Sequence, residues 1–320
     1  MGIYQKLRAR LNRAGIRPST RRGQNFLLDT NQLRFIAETG NLSARDVVLE
    51  VGPGSGFLTR RLALSGCMVL GVELDHGLLP VAQEETGGLP NVFYLRADIL
   101  GGKNRLNPEV VSRLEELLQL RARTLREEGA EGEDAQPVLK SVSNLPYSAG
   151  TPFIMNALAS PLPWNLGVFL LQLEVAERIV APPGGKNYGA ISIAASLAAA
   201  TAIEREVSPK CFWPRPNVDS AVIKMTFKPV ADRLALPWIA LRSVTNAVFG
   251  SRRKILKNAL KGLFPDTDIG AMLAEMNLDP ECRGETLPPE AFLAIAHRTR
   301  GATPECGVHP AEDARGEKTS

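Results

Sequence analysis

Five consecutive residues, Ser143-Asn144-Leu145-Pro146-Tyr147, combine an amide, backbone carbonyls beside a proline, and an aromatic ring. The Asn144 oxygen and a neighbouring carbonyl can accept hydrogen bonds, and the Tyr147 ring offers a face for stacking. Pro146 fixes its own φ and favours an extended Leu145, so the turn is stiff. Such a turn suits the binding of a planar base by its exocyclic amine. Asn and Pro are also common in ordinary turns, so the motif alone leaves both interpretations open.

The turn lies between two predicted elements. The apolar run 138–142 predicts a buried strand before the turn, and the residues from Thr151 to Met155 predict the start of a helix after it. The motif is therefore expected at the carboxyl end of a strand, where open α/β sheets bind their ligands.

A glycine-rich turn precedes this motif in the chain. Residues 46–51 predict a short strand, Gly52-Pro53-Gly54-Ser55-Gly56 follows, and residues 57–64 predict a helix. A strand, a glycine turn and a helix in this order open a doubly wound α/β sheet. Glycines there let the backbone approach a ligand closely.

Two acids follow the next two predicted strands. Glu73 ends the strand 68–72, about 20 residues after the first glycine, where nucleotide-binding sheets place a carboxylate against ribose hydroxyls. Asp98 follows the strand 91–95. The spacing is GxGxG, which does not match the dinucleotide fingerprint GxGxxG, and no P-loop lysine is present. Either acid alone is equally consistent with a helix cap or a loop, but together with the glycines they predict one crevice.

Composition restricts the class of protein. The 320 residues suggest two domains, and a hydrophobic content of 44% excludes a disordered chain. No apolar run approaches the ~20 residues that cross a bilayer, and we expect neither a secretory signal nor a membrane partner. The four cysteines and three histidines are scattered. This predicts free thiols in a reducing, cytoplasmic compartment and no metal site.

The positive charge is concentrated in two places, although the formal net charge is only +4. The first 22 residues contain no acid and seven basic residues: Lys6, Arg8, Arg10, Arg13, Arg17, Arg21 and Arg22. The second cluster, predicted on a helical segment, comprises Arg252, Arg253, Lys254, Lys257 and Lys261. Two basic patches indicate a polyanionic partner. Solvated surface charge, or an organellar presequence for the first patch, remains the alternative.

These patterns predict a basic arm over 1–22, an α/β domain over 23–231 with a surface insertion over about 101–137, a helical domain over 232–300 and a disordered tail over 301–320. The loop that begins at Phe212 and ends at Pro216 is rigid and aromatic. It suits a wall over a bound base, or a proline-ordered turn that packs Phe212 inward.

The chain closely resembles the KsgA-type rRNA adenine N(6)-dimethyltransferases, also called dimethyladenosine transferases, from about Gly23 to His297. The motifs that carry the resemblance are GQNFL (23–27), LEVGPGSGFLT (49–59), GVELD (71–75), RADIL (96–100), NLPY (144–147), EVAERI (174–179), YGAISI (188–193), FWPRPNVDSAV (212–222), FGSRRKILKNAL (249–260) and RGETL (283–287). The resemblance implies a Rossmann-like methyltransferase sheet with a small carboxyl-terminal helical domain that binds RNA.

The resemblance also implies a cofactor and a substrate. The methyl donor would be S-adenosyl-L-methionine, bound by Asn25, Leu27, Gly52, Gly54, Glu73, Asp98 and Asn144. The substrate would be two adjacent adenines near the 3′ end of small-subunit rRNA, in the immature small ribosomal subunit, with the enzyme acting as a monomer. The residues expected at the reacting base are Asn144, Pro146, Tyr147 and Phe212.

The residues at the turn agree with this chemistry. The lone pair of the adenine amine is delocalised into the ring, so the amine is a poor nucleophile. Acceptance of its hydrogens by the Asn144 oxygen and by the Leu145 or Pro146 carbonyl would direct the lone pair at the methyl group. Tyr147 and Phe212 could stack on an extruded base, and the basic clusters could bind phosphates.

Three other functions compete with this one: an Erm-type enzyme of large-subunit rRNA, an assembly factor that retains the pocket without chemistry, and a DNA adenine methyltransferase. RGETL and the SRRK segment favour the small-subunit enzyme, the intact NLPY favours catalysis, and no domain for reading duplex DNA is apparent. The chain departs from the family pattern at Arg22, where an aromatic residue is usual, and at residues 148–150 after Tyr147.

Overall fold

The computed structural model describes residues 2–18, 24–102 and 104–299. The predicted disordered tail 301–320 lies outside these residues, as do Arg21, Arg22 and Gly23. The chain divides into two units. The first contains the residues up to Leu236 together with Glu285–Pro289, and the second contains Pro237–Gly284 and the segment from Glu290 onward.

The strands, all in the first unit, are β1 (Phe26–Leu27), β2 (Asp46–Val51), β3 (Met68–Glu73), β4 (Val92–Arg96), β5 (Leu100–Gly102), β6 (Arg105–Leu106), β7 (Val138–Asn144), β8 (Trp164–Gln172), β9 (Ala199–Val207), β10 (Phe212–Trp213) and β11 (Ser220–Phe227). The helices of the first unit are α1 (Ile3–Arg13), α2 (Thr30–Thr39), α3 (Phe57–Ala63), α4 (Leu78–Thr86), α5 (Pro108–Glu127), α6 (Gly150–Ala159), α7 (Leu173–Val180), α8 (Ala190–Ala198) and α9 (Val230–Leu234). The remaining helices are α10 (Trp238–Phe249), α11 (Leu256–Leu260), α12 (Ile269–Glu275) and α13 (Pro289–Thr299).

Seven strands form one sheet in the order β4-β3-β2-β7-β8-β11-β9. The first five in this order run parallel, and β11 is antiparallel to both of its neighbours. Every residue of β2 is buried, as expected for a parallel strand that is covered by helices on both faces. The predicted α/β class with a mostly parallel sheet is confirmed.

The direction of winding reverses between β2 and β7. From β2 the chain moves outward through β3 to β4, and it then returns across the sheet to β7 on the other side of β2. At such a reversal the connections leave adjacent strands on opposite faces, so a crevice opens beyond the carboxyl ends of the strands. Since all five strands are parallel, these ends share one edge of the sheet.

The segment predicted as a surface insertion contains α5, which belongs to the fold. Val110, Leu114 and Leu117 on α5 are buried, and the helix packs on β2 and β3. A parallel strand can be followed by another only through a crossover of this kind, which explains why the helix is required. The acidic residues after α5 form a loop with a short 3-10 turn, where Asp134 accepts a hydrogen bond from Arg45 at 3.0 Å.

The predicted basic arm also differs from the expectation. Residues 3–13 form α1, whose Leu7 and Leu11 are buried in the core of the first unit. Arg10 pairs with Glu84 at 3.1 Å and also with Glu85, and Arg13 donates to Glu84 at 2.6 Å. Two of the cations predicted to bind phosphate are therefore partly neutralised by α4.

The second unit is helical, with Leu256, Leu260 and Phe292 buried and with the rings of Phe249 and Phe292 stacked 5.7 Å apart. Arg252, Arg253 and Lys254 lie in the turn before α11 and are outside any helix. No helix in the described part of the chain combines the length and apolar character needed to span a bilayer.

One buried arginine joins several elements of the first unit. Arg233 on α9 is fully buried and donates to the carbonyls of Ala157, Leu158 and Ser160 at the end of α6 and to Leu162. The last carbonyls of a helix have no partner within the helix, so the guanidinium satisfies them. It thereby stabilises the helix that follows the Asn144 turn.

We expect Arg233→Met to lower the free energy of unfolding by about 2–5 kcal/mol, because the carbonyls of Leu158 and Ser160 lose their donor and those of Ala157 and Leu162 lose one of their donors. Chemical denaturation measures the change. The matched control is Arg34→Met, since Arg34 is exposed and its ion pair and hydrogen bond are to its helical neighbours Glu38 and Asn31. Equal stability of the two variants would contradict the role of Arg233.

Candidate active site

A cavity of about 480 Å³ opens at the carboxyl edge of the sheet, where β2 and β7 separate. This volume lies in the usual range for small-molecule sites. Eight of the residues predicted for the site line it: Leu27, Gly52, Gly54, Glu73, Asp98, Asn144, Pro146 and Tyr147. The ends of β2, β3, β4 and β7 thus meet at one site.

The glycine turn and the Asn144 turn are in direct contact. Gly52 and Gly54 have φ values of +71° and +51°, which only glycine adopts without strain. A Cβ on Gly52 would lie 3.0 Å from Cγ of Pro146. A side chain there would push the two turns apart.

The Glu73 carboxylate is held by backbone donors. It is buried, and it accepts hydrogen bonds from the backbone N–H groups of Gly54 at 3.1 Å and Asp75 at 2.9 Å. Burial raises the pKa of Glu73 above its ordinary value, and the backbone hydrogen bonds oppose this rise. These hydrogen bonds fix the carboxylate beside the glycine turn, where it can accept hydrogen bonds from the hydroxyl groups of a ligand.

The Asn144 side chain has one end fixed and one end available. Its Nδ2 donates to the backbone carbonyl of Asn25 at 3.2 Å. This orients Oδ1, for which no hydrogen-bond partner is found among the described residues. The Pro146 carbonyl already accepts from the N–H groups of Ala149 and Gly150, at 2.9 and 3.0 Å. Of the two carbonyls considered for the amine, this favours that of Leu145.

Two serines join β2 and β7 where the strands begin to separate. The regular pairing of the strands ends at Leu49 and Ser141, and Ser141 Oγ donates to the Leu49 carbonyl at 3.1 Å. One step further, the backbone N–H of Val51 donates to Ser143 Oγ at 2.9 Å. Next to Gly52 and Asn144, side-chain hydrogen bonds thus replace the backbone hydrogen bonds between β2 and β7.

Glu50 was not predicted as a site residue, although it lines the cavity. It is 2% exposed, and burial raises the pKa of its carboxyl to about 8, with a further contribution from the charge of Glu73. The signal in the sequence was an acid inside a run of apolar residues. The sequence pattern of β2 did not show that Glu50 would line the cavity.

Phe212, which was predicted to stack on the base, is not among the residues that line the cavity. It is 5% exposed, belongs to the hydrophobic core and pairs with Leu27 through the short ladder between β10 and β1. The alternative interpretation, an ordered turn that packs Phe212 inward, is the one that the structure shows. The backbone pairing with β1 turns the ring toward the core.

Asn25 is also absent from the cavity lining, yet it is joined to the site through Asn144. Its side-chain Oδ1 is buried and has no partner among the described residues. Nearby, Gln24 donates to Asp75 at 2.9 Å, and both residues line the cavity with His76 and Leu74. Apart from the motifs that contain these residues, nothing in the sequence indicated these contacts between distant segments.

Two solved structures share this fold. A dimethyladenosine transferase from Plasmodium falciparum matches with a TM-score of 0.65 at 18% identity, covering 85% of this chain and 96% of that one. The 23S rRNA methyltransferase ErmE matches with a TM-score of 0.58 at 22% identity, covering 86% and 100%. The chain therefore has a Rossmann-like α/β fold, which it shares with both proteins.

The sequence comparison is more specific. Residues 17–300 match the family model of the ribosomal RNA adenine dimethylases. A relative from Lactiplantibacillus plantarum, ribosomal RNA small subunit methyltransferase A, is 35% identical over 295 residues, covering 91% of this chain and 93% of the relative. The chain belongs to the ribosomal RNA adenine dimethylase family. It is a methyltransferase, and its methyl donor is S-adenosyl-L-methionine.

The cavity fits this donor. Its volume suits a nucleoside with an amino-acid tail, and the glycine backbone at residues 52–54 leaves space that side chains would fill. The Glu73 carboxylate offers acceptors for ribose hydroxyls, and the orphaned Asn25 Oδ1 offers a buried acceptor close to Asn144. The individual roles of these residues remain predictions.

We expect Glu50→Gln to stabilise the free protein increasingly as the pH rises from about 5 to 8. The folded state holds the proton up to about pH 8, while an unfolded chain loses it near the ordinary value of 4.5, so wild-type stability falls across this interval. Glutamine resembles the protonated acid, and its advantage should approach roughly 5 kcal/mol above pH 8. Thermal unfolding between pH 5 and 9 tests this, with Glu38→Gln on exposed α2 as the control. A constant difference at all pH values would be inconsistent with a titrating Glu50.

We expect Ser143→Ala to lower kcat/KM for methyl transfer about tenfold or more. The variant loses the hydrogen bond from the Val51 N–H to Ser143 Oγ, which joins the glycine turn to the Asn144 turn, and small misplacements of reacting groups are costly. Ser141→Ala is the matched control. It removes the neighbouring hydrogen bond of the same strand pair, and should reduce stability by a similar amount with less than about a twofold change in rate. Equal activity losses in the two variants would show that only sheet stability matters.

Proposed function

We propose that this enzyme transfers methyl groups to the exocyclic amines of two adjacent adenines in the 3′-terminal hairpin of small-subunit rRNA. The name of the similar L. plantarum protein supports the small subunit as the target. The observation that carries the proposed chemistry is the Asn144 side chain, whose amide nitrogen is committed to Asn25 and whose oxygen is available at the cavity.

The Asn144 oxygen and the Leu145 carbonyl would accept the two hydrogens of the adenine amine. Because these acceptors sit on a stiff turn against Gly52, little reorganisation is needed when charge develops on the nitrogen. The donor, when bound, supplies an electrophilic methyl group on a sulfonium. Positioning by the protein then provides most of the catalysis, and no strong base is required if the proton leaves after transfer.

Several residues would hold the donor. Glu73 would accept hydrogen bonds from the ribose hydroxyls, and Asp98 would lie beside the adenine ring. The backbone at Gly52 and Gly54 would approach the rest of the donor. Asn25 and Leu27 would close the site from the amino-terminal segment. Tyr147 is the one predicted stacking residue that lines the cavity, so we assign stacking on the extruded base to Tyr147.

The RNA backbone would bind to exposed cations on both units. On α1 these are Lys6 and Arg8, since Arg10 and Arg13 are engaged with α4. In the second unit Arg253, Lys254 and Lys261 are exposed. Such contacts give affinity that depends on salt and not on base sequence. We further propose that the enzyme acts as a monomer, in the cytoplasm, on the immature small subunit.

The test is transfer of a labelled methyl group to immature small subunits, followed by mapping of the modified nucleotides in both rRNAs. We expect dimethyladenosine at two adjacent positions near the 3′ end of 16S rRNA. Modification of 23S rRNA alone would support the Erm-type alternative. No transfer by the wild-type protein, with normal subunit maturation, would support an assembly factor without chemistry.

Asn144→Ala should lower kcat by roughly 10²–10³, as does loss of one preorganised polar group in other enzymes. Single-turnover transfer measures the rate, and unfolding temperature shows whether the fold is retained. The control is Asn31→Ala on the exposed start of α2, which should transfer methyl at the wild-type rate. Full activity of Asn144→Ala would refute the proposed role of the amide.

A further inference from the structure

We propose that Ser220 is a positioning residue that holds the Tyr147 ring against the target base. The proposal rests on the proposed function, and it gives a role to the end of the FWPRPNVDSAV motif, whose first residue is buried in the core. Ser220 is distant from Tyr147 in the chain and acts through it.

The two hydroxyl groups share a hydrogen bond. Tyr147 Oη and Ser220 Oγ are 3.2 Å apart, and Ser220 is fully buried. Ser220 begins β11, where it pairs with Gln172 of β8 and Val207 of β9. A residue paired on both sides in the interior of a sheet cannot follow a mobile side chain, so Ser220 is a fixed anchor for the phenol.

The other end of Tyr147 is also fixed. The preceding Pro146 has a restricted φ, and its carbonyl accepts from Ala149 and Gly150 at the start of α6. With the backbone held by the turn and the hydroxyl held by β11, the two side-chain torsions of Tyr147 have little freedom. The ring between these points lines the cavity.

The chemistry of the pair suits positioning. Burial raises the pKa of Tyr147, so the phenol stays protonated and neutral at physiological pH. A partly buried hydroxyl favours a hydrogen-bond partner, and Ser220, which is not among the residues that line the cavity, provides one. A phenylalanine in place of Tyr147 would retain the stacking face and lose only the anchor.

The experiment is a double-mutant cycle with Tyr147→Phe, Ser220→Ala and the double variant, with kcat, KM for RNA and donor affinity measured for each. If Ser220 acts through the phenol, each single variant lowers kcat by about fivefold, consistent with loss of one hydrogen bond. The double variant should then equal the single variants, because one interaction cannot be lost twice. Donor affinity should change less than about twofold.

Ser220→Thr keeps the hydroxyl and should restore most of the activity, whereas Thr226→Ala on the exposed end of β11 controls for changes to the strand. Independent, multiplicative losses in the double variant would overturn the proposal, as would wild-type kcat in either Tyr147→Phe or Ser220→Ala. Absence of methyl transfer by the wild-type protein would instead refute the proposed function, so the two failures are distinguishable.

Discussion

The site depends on the separation of β2 and β7 at their carboxyl ends. While the strands are paired they form an ordinary parallel ladder, and beyond Leu49 and Ser141 the ladder is replaced by serine hydrogen bonds. The gap admits a ligand, yet Gly52 and Pro146 still meet across it. The contact between Gly52 and Pro146 fixes the narrowest part of an otherwise open crevice. Methyl transfer requires this, since donor and acceptor must approach along one line.

The electrostatics of the crevice follow from its burial. Two carboxyls, Glu50 and Glu73, line the cavity and are both buried, and this burial raises the pKa of each. Glu73 is held by two backbone N–H groups, which favour its charged form and orient it. The Glu73 carboxylate, when charged, would attract a donor that carries positive charge and oppose a negatively charged ligand, while Glu50 stays protonated and neutral below about pH 8.

The outcome for three segments shows how tertiary structure changed the expectations. The helix α5 carries enough charge to resemble a surface insertion, but its apolar face covers β2 and β3. The basic helix α1 has Leu7 and Leu11 buried and lends two arginines to acids on α4. Phe212 belongs to a motif at the site, and its backbone pairing with β1 turns the ring into the core. In each case a residue's local pattern was compatible with two environments, and long-range packing selected one of them.

The sequence alone determined the class of fold, the family and the strands that carry the site, because hydrophobic runs, glycine turns and motif order are local properties of the chain. It also indicated that Glu73, Asp98 and Asn144 would converge, since parallel strands bring their ends to one edge. Only the tertiary structure decided which groups face the cavity and which are already engaged. The burial of Glu50 and the Ser220–Tyr147 hydrogen bond both depend on contacts between different elements. The distances between such elements are set by packing and are absent from any local pattern.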